Sequence, residues 1–588
     1  MPLRLLAVVA LLAALLAAHG QVLQGQFLWD DLELAVDNPA LHGPDGPARI
    51  WRGDAGVEYV PLTQSLWRVE RRHFGREPAG WHAVNLALHA VAGLLLWAVL
   101  RRLSLPSASV AAAAWALHPL TVASTGWISE TKNTLCQVFA GLTAWAWLRW
   151  RERAASGGRT GLLAGATLLA FAACLAAKPT LVFLPLVLLL LGWWRQGGCP
   201  TRELRAATPL VALALAASAM TIHVQHGRAM GAGVLEATPP VERLLLAARG
   251  AWFYLEKSWW PLDLSALYPH WSADASAARD WLPLLALLVI CGAALVARRG
   301  WGRPVLAGSG AFVLLLAPAL GLVPKSFDAI ATVSDHFAYA ALVVPVAGAV
   351  ALGARLLQSA LRGVAPAAAV ALLAALGLLS HARAGLYRDP VTLFEDVLRR
   401  HPDTWMAHQI AGAARARAGD LPGAESHLRR AAELHGSFPD AHAALGAVLL
   451  DAGRPQEAEA ESRRALELEP GQPEAHATLA RLLLQRGDAP GALRELAAAL
   501  AAAPDDADLL NLLGVARASL GDPAAEEAFR DALAARPDFP EALNNLALLL
   551  AARGTSAARD EARRLLLKAL RLRPDYDKAR DSLQALED

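Results

Sequence analysis

The chain predicts an all-α protein in two regimes: a polytopic membrane-embedded helical domain, then a soluble solenoid of helical hairpins. Three observations carry this. The 588 residues are 55% hydrophobic and only 18% charged, with a mean hydropathy of +0.32, too apolar for the charged surface that a soluble chain of this length needs. Long uncharged runs are concentrated in residues 1–382, whereas 383–588 are rich in Arg, Glu, Asp and Ala. After residue 400 a phrase of about 34 residues recurs. The net charge of +2 leaves no electrostatic footprint for nucleic acid. The four cysteines form no CxxC pair, so neither disulfides nor structural zinc is expected.

A bilayer core of about 30 Å takes roughly 20 mostly apolar residues per helix. Spans are read near 3–19, 83–100, 107–123, 134–149, 161–177, 180–194, 206–223, 281–297, 305–323, 337–354 and 364–381, eleven in all. The first fits a cleaved signal peptide or a retained anchor, and the lack of a clear A-x-A site favours the anchor. Arg101/Arg102, Arg149/Arg151/Arg153, Arg195/Arg202/Arg205, Arg298/Arg299/Arg303 and Arg355/Arg362 fall on alternate loops, which the positive-inside bias assigns to the cytoplasm. The remaining loops, including 20–82, 118–133, 224–280 and 324–336, then lie outside. Residues 244–260 are apolar and aromatic but contain Arg249, Glu256 and Lys257, and read as an interfacial helix rather than a crossing. Eleven crossings that start inside put the C-terminus outside. The expected organisation is a membrane domain over 1–382, a linker over 383–401 and repeats over 402–588.

Polar groups at membrane depth mark function by default, because each costs several kcal/mol unless satisfied. Asp30 and Asp31 follow the first span in QFLWDDLELAVDNP, where mutual repulsion and partial burial raise one carboxyl toward working pH and suit it to general base work; an acidic first helical turn is the simpler account. His82, Asn85 and His89 share one helical face, as a polar stripe or as interhelical glue. HPLTVASTGWISETKNTL places His118, Glu130, Lys132 and Asn133 at the outer surface. Lys178 sits where two spans meet outside, placed to bind a lipid phosphate or to snorkel to the headgroups, and Asp335 and His336 stand at the mouth of the tenth span. All these clusters fall on one side, which suggests a cavity where a lipid phosphate, a cation and a base meet.

The repeats are marked by Pro402, Gly436, Pro470, Pro504, Pro537 and Pro574, spaced 34, 34, 34, 33 and 37, and by turn glycines Gly419, Gly453, Gly487, Gly521 and Gly554 in near step. A 34-residue helix–turn–helix unit ending in Pro has the tetratricopeptide signature, here about five repeats plus a terminal helix near 575–586. Asn511 and Asn544 fall at one repeat position, where they line a peptide groove or a solvated surface. His408, His442 and His476 also share a position, read as packing between repeats rather than metal ligands.

The phrases FLWDD…DNP, EYVPLTQSLW, GWHAVNLALHA, ALHPLTVASTGWISETKNTL, AAKPTLVFLPLVLLLLGWW, WWPLDLSALYPHW and VSDHFAYAAL run in order across about 360 residues, followed by the repeats. In this the chain resembles the multi-span GT-C-fold glycosyltransferases with lumenal repeats, the transmembrane and tetratricopeptide-repeat O-mannosyltransferases and their bacterial relatives. The resemblance implies inverting transfer of a sugar from a polyprenyl-phosphate donor to an extracytoplasmic acceptor, a protein Ser or Thr, presented by the repeats. It implies a multi-pass protein of the inner (cell) membrane with periplasmic repeats, and no cofactor, a divalent metal being left open. The base falls on Asp30 or Asp31, with a slight preference for Asp31. Lys178 and His336, with Asp335, His82 and His89, become candidates for the donor phosphate and lipid; Glu130, Lys132 and His118 become candidates for the acceptor side. Where relatives carry Glu after HPL this chain has Ala123, so an acidic role in that segment falls on Glu130 or is absent. Two other expectations stand beside it: a non-catalytic membrane-anchored scaffold for envelope assembly, and a transporter of lipid-linked sugars, which the scarcity of mid-span charges disfavours.

Overall fold

The computed structural model describes every residue except 1, 42, 44, 57, 199–200, 229–237, 323–325, 361–362 and 588. Cys199, Arg362 and parts of the 224–280 and 324–336 loops lie outside the described residues. All regular elements among the described residues are helical.

Each of the eleven apolar segments is helical over most of its length. Among the described residues six helices are long and apolar enough to cross a membrane: Leu5–Gln24, Pro78–Arg102, Thr201–Val224, Ala278–Val296, Gly302–Ala319 and Ala365–Arg388. The others depart from the expected count for identifiable reasons. The third segment stops after Ala108–Ala116, because His118 precedes Pro119 and starts a 3-10 turn. That helix of 9 residues, and Leu184–Gln196 with 13, rise only roughly 14 and 20 Å, short of a bilayer core. Thr131–Ala155 has 25 residues but carries Lys132, Arg149, Arg151, Glu152 and Arg153 toward its ends. Gly161–Ala177 and Val343–Leu357 are shorter apolar helices.

The helix Pro240–Trp259 contains the ambiguous 244–260 stretch. It turns Leu245, Ala248, Ala251 and Tyr254 inward and leaves Leu244 and Trp259 exposed, the amphipathic pattern of an interfacial element. Residues 383–401, expected to be a linker, are instead ordered: Gly385–Arg388 continues into the helix Pro390–Arg400, which buries Leu393, Phe394 and Val397. Asp389 caps that helix by accepting from Thr392 N at 2.8 Å. The surrounding Arg and Asp residues mask this apolar stripe in a reading by composition.

The chain forms two compact units, residues 1–36 with 50–402, and residues 37–49 with 403–588. The second unit therefore includes a stretch of the first loop, whose Arg49 pairs with Asp505 at 3.2 Å. Its repeats are five hairpins, Trp405–Arg417 with Leu421–Leu434, Pro439–Asp451 with Pro455–Leu468, Pro473–Gln485 with Ala489–Ala502, Ala507–Ser519 with Ala525–Ala535, and Pro540–Ala551 with Ser556–Leu572, then Asp577–Glu587. The turn glycines Gly419, Gly453, Gly487, Gly521 and Gly554 all have φ between 67° and 82°, the left-handed region that other residues enter at a cost. Paired helices approach so closely at Gly446 and Gly514 that an added Cβ would lie 2.6 Å from Ser462 Oγ and 2.5 Å from Phe529.

Two expectations for the repeats are corrected. His442 and His476 bond Glu461 and Glu495 at 2.8 and 2.7 Å, and His408 bonds His427 at 3.0 Å. Each partner lies 19 residues on, so these histidines join the two helices of one repeat rather than neighbouring repeats. Asn511 and Asn544 are buried, at 9% and 3% exposure, and Asn511 Oδ1 accepts from Asn545 Nδ2 at 2.9 Å. They belong to the packed interior rather than to an open groove or a solvated face.

Candidate functional site

The densest group of buried charges forms where the first loop meets the segment joining Ala108–Ala116 to Thr131–Ala155. Asn85 sets the platform: its Nδ2 donates to the Ser124 carbonyl at 2.8 Å and its Oδ1 accepts from Thr134 Oγ1 at 2.6 Å. This fixes the backbone that presents Trp127, Ser129 and Glu130. Trp29 reaches it from the first loop with φ 29°, a strained conformation for an aromatic residue. Its ring is held by stacking on Trp127 at 5.5 Å and edge contact with Phe394 at 6.1 Å. The kink turns both following carboxylates onto the platform.

Asp31 is fully buried, and each of its oxygens accepts a backbone N–H: Oδ1 from Ser129 at 2.6 Å and Oδ2 from Leu28 at 2.8 Å. Burial, then the charge of Asp30, pushes its carboxyl above the usual range, against the pull of those donors. Asp30 is only half-buried. Its Oδ1 accepts from Trp127 Nε1 and Ser129 Oγ, each at 2.9 Å, and Oδ2 is left without a hydrogen bond. Burial pushes Asp30 up to about 6, with nearby Lys132 pulling the other way. The sequence prefers Asp31 as base. The geometry favours Asp30, because Asp31 has no free oxygen and no exposure.

Glu130 stands at the N-terminus of Thr131–Ala155, where the helix dipole favours an anion. Its Oε2 accepts from Asn133 Nδ2 at 2.6 Å and from Lys178 Nζ at 3.2 Å, and its Oε1 lies 3.4 Å from Lys132 Nζ and 3.8 Å from His336 Nε2. Burial works to raise its pKa, but the surrounding cations hold it well below the usual carboxylate range. Burial pushes His336 down to about 4, so its ring is neutral near pH 7 and the two lysines are what hold the Glu130 charge. Lys178 reaches the cluster because it precedes Pro179 and is extended, at φ −159° and ψ 124°; its Nζ also donates to Asn133 Oδ1 at 2.8 Å. Lys132 Nζ pairs with Glu58 Oε2 at 2.9 Å. Glu58 is held below its ordinary range by Lys132 and Lys178, against burial.

The structure thus gathers Asp30, Asp31, Glu130, Lys132, Lys178 and His336 from four stretches of sequence. The other sequence candidates lie outside that group. His89 is buried between Tyr339 Oη at 2.7 Å and the Ala116 carbonyl at 2.9 Å. His82 is buried against Gly25, where an added Cβ would lie 2.9 Å from Nε2. His118 caps its turn by accepting from Leu120 N at 3.2 Å, and lies 3.2 Å from the Ser258 carbonyl. Asp335 is locked to Arg383 at 2.5 Å and Tyr268 at 2.9 Å. Lys178 and His336, expected to be free for a phosphate, are engaged with Glu130 and Asn133, and with Ser334 Oγ at 2.7 Å. Glu58 and Arg383 were not singled out in the sequence. Glu58 lies within EYVPLTQSLW, and the need of buried Asp335 for a cation is the signal that points to Arg383. Among the described residues no group of three or more His, Cys, Asp or Glu is disposed to hold a metal ion.

Profiles described as tetratricopeptide repeat match residues 449–515, and residues 376–437 and 411–473. The C-terminal region carries tetratricopeptide repeats. These matches begin upstream of the helix Pro390–Arg400 and stop short of half of the chain. Solved structures similar to this chain include YrrB, described as a TPR protein with an unusual peptide-binding site (20% identity, 32% of this chain, 97% of that chain, TM-score 0.24). They also include MamA from Desulfovibrio magneticus RS-1 (23% identity, 29% and 97%, TM-score 0.24) and Pseudomonas aeruginosa pilF (24% identity, 31% and 88%, TM-score 0.25). No curated protein sequence matches the chain.

Proposed function

We propose that this protein is an integral membrane glycosyltransferase that moves a sugar from a polyprenyl-phosphate donor to a hydroxyl group outside the cytoplasm, while the repeats hold the acceptor polypeptide. The observation that carries this reading is the unbonded Asp30 Oδ2 beside the Glu130–Lys132–Lys178 cluster. The acceptor oxygen bonds to the anomeric carbon from the face opposite the phosphate. The bond from that carbon to the phosphate oxygen breaks, the phosphate leaves with the electron pair, and the acceptor proton passes to Asp30. A carboxyl near 6 is mostly ionised at neutral pH yet basic enough to take that proton. Lys132 is the natural phosphate ligand: its partner Glu58 is 40% exposed while Lys132 itself is 6% exposed, so an incoming phosphate displaces the looser carboxylate. The alternation of arginine-rich loops in the sequence supports an outer-face position for this cluster and for the repeats.

A second reading, a non-catalytic membrane-anchored scaffold, is favoured by one feature: both lysines already have carboxylate partners, as a purely structural ion cluster would. Glycoproteomics of envelope proteins from a deletion strain resupplied with wild-type or Asp30→Asn protein separates the two. Transfer at this site predicts that glycopeptides return with wild type alone, at equal membrane abundance of both proteins. Full return with Asp30→Asn, or rescue of the deletion by the repeats on an unrelated anchor, supports the scaffold.

A further inference from the structure

On the interfacial helix Pro240–Trp259, Arg249 is an exposed cation that has no carboxylate partner among the described residues. Arg249 projects from the exposed side of Pro240–Trp259, with its guanidinium 4.4 Å above the Trp271 ring. Trp271 is fixed in turn by its backbone N–H, which donates to Thr332 Oγ1 at 2.9 Å, and by edge contact with Phe253 at 5.4 Å. Trp252 Nε1 donates to the Pro283 carbonyl at 3.0 Å and ties this helix to the start of Ala278–Val296. Between the two lies an open groove of about 720 Å³, lined by Arg249, His270, Trp271, Arg279, Asp280 and Pro283 among others. The acidic groups at its rim are used within the turn: Asp274 accepts from Ser276 N and Oγ at 2.8 and 2.6 Å, and Asp280 accepts from Asp274 N at 2.8 Å and lies 3.7 Å from Arg279. Arg249 is the charge left to be satisfied.

The groove opens onto a lipid-like surface. In Ala278–Val296 only 6% of the apolar window is buried. Leu282, Leu285 and Val289, at i, i+3 and i+7, are 62%, 49% and 70% exposed and form one continuous apolar strip. Trp259 and Trp260, at 59% and 65% exposure, mark headgroup depth at the end of the neighbouring helix. An unpaired guanidinium at the head of an apolar strip fits an amphiphile with an anionic head. We propose that this groove binds the phosphate of a membrane lipid through Arg249, supported by Arg279, with the lipid chain lying along Leu282, Leu285 and Val289. The site shares no residue with the Asp30 cluster and stands whether or not that cluster transfers sugar.

The test is native mass spectrometry of the full-length protein in detergent, with three added probes: dioleoyl phosphatidylglycerol, a C55 polyprenyl phosphate, and dioleoylglycerol, which lacks phosphate. Wild type is expected to retain the phosphate lipids over dioleoylglycerol. Because a bidentate Arg–phosphate contact is among the stronger charge-assisted hydrogen bonds, Arg249→Ala should lower their retention about tenfold or more, and Arg249→Lys should fall between. Loss confined to the polyprenyl probe identifies a carrier-lipid site, and loss of both phosphate lipids identifies a general phospholipid site. Retention unchanged by Arg249→Ala, or dioleoylglycerol held as well as the phosphate lipids, overturns the proposal. Elution volume and tryptophan emission of the exposed-site variants report that the fold is kept.

Discussion

Removing the carboxylate of Glu130 isolates a cation in an apolar setting, and the size of the effect can be worked from the contacts. Lys178 is 10% exposed and Glu130 5%, so solvent cannot replace the lost partner. Lys132 keeps Glu58 at 2.9 Å, but Lys178 keeps only the amide oxygen of Asn133 at 2.8 Å. Breaking one side of a buried pair typically costs about 3–5 kcal/mol, whereas replacing both partners by apolar or neutral groups of similar size is close to neutral. Glu130→Ala is therefore expected to lower the unfolding midpoint by on the order of 6–10 °C, at roughly 2 °C per kcal/mol for a domain this large. Glu130→Ala/Lys178→Met should recover most of that loss. The assay is a thermal scan in detergent at fixed rate, read by tryptophan emission, on wild type, both single variants and the double variant. A coupling energy near zero, with the double variant as unstable as the sum of the singles, would refute the view that Glu130 neutralises Lys178.

Three further outcomes are expected. Asp31→Asn puts an amide where both oxygens now accept a backbone N–H, and should cost about 1–3 kcal/mol of stability, whereas Asp30→Asn should leave the midpoint within about 0.5 kcal/mol of wild type; a reversed order in the same scan would show that Asp31 is the adaptable residue of the pair. Glu70 is buried with neither oxygen bonded and is pushed up to about 8. Its folded form holds a proton that the unfolded chain releases near 4.5, so its contribution is whole below that pH and is lost, at about 1.4 kcal/mol per pH unit, as pH rises toward 8; Glu70→Gln should flatten that slope between pH 5 and 8, and an unaltered slope would assign it to other groups. Cys136 and Cys174 have their sulfurs 3.5 Å apart, so a diamide pulse should cross-link them with about 1.5 Å of approach, read as two thiols lost to alkylation in the denatured protein; both thiols remaining reactive would contradict this geometry.

The repeats were legible because their signals are local and periodic. A glycine that must take positive φ and a proline that must end a unit recur at fixed steps, and five hairpins follow. The apolar helices were legible for the same reason, although helix length was not: His118–Pro119 ends one segment after nine residues, a break that hydropathy alone does not register. The candidate site was legible as a set of residues but not as a set of pairs. Glu130 meets Lys178 across 48 residues and His336 across more than two hundred, separations that no spacing rule encodes. Choosing between Asp30 and Asp31 depended on which carboxylate the strained turn at Trp29 would bury. The helix Pro390–Arg400 was hidden because its three buried apolar residues are outnumbered by charges.

Sidedness is the premise on which the sugar-transfer account depends. Single cysteines at Ser582 in the terminal helix and at Ser156 in an arginine-rich loop, in a background without the four native cysteines, can be probed in intact spheroplasts with a membrane-impermeant maleimide. The account predicts labelling at Ser582→Cys before permeabilisation and at Ser156→Cys only after it. The opposite pattern would place the repeats in the cytosol and contradict the account.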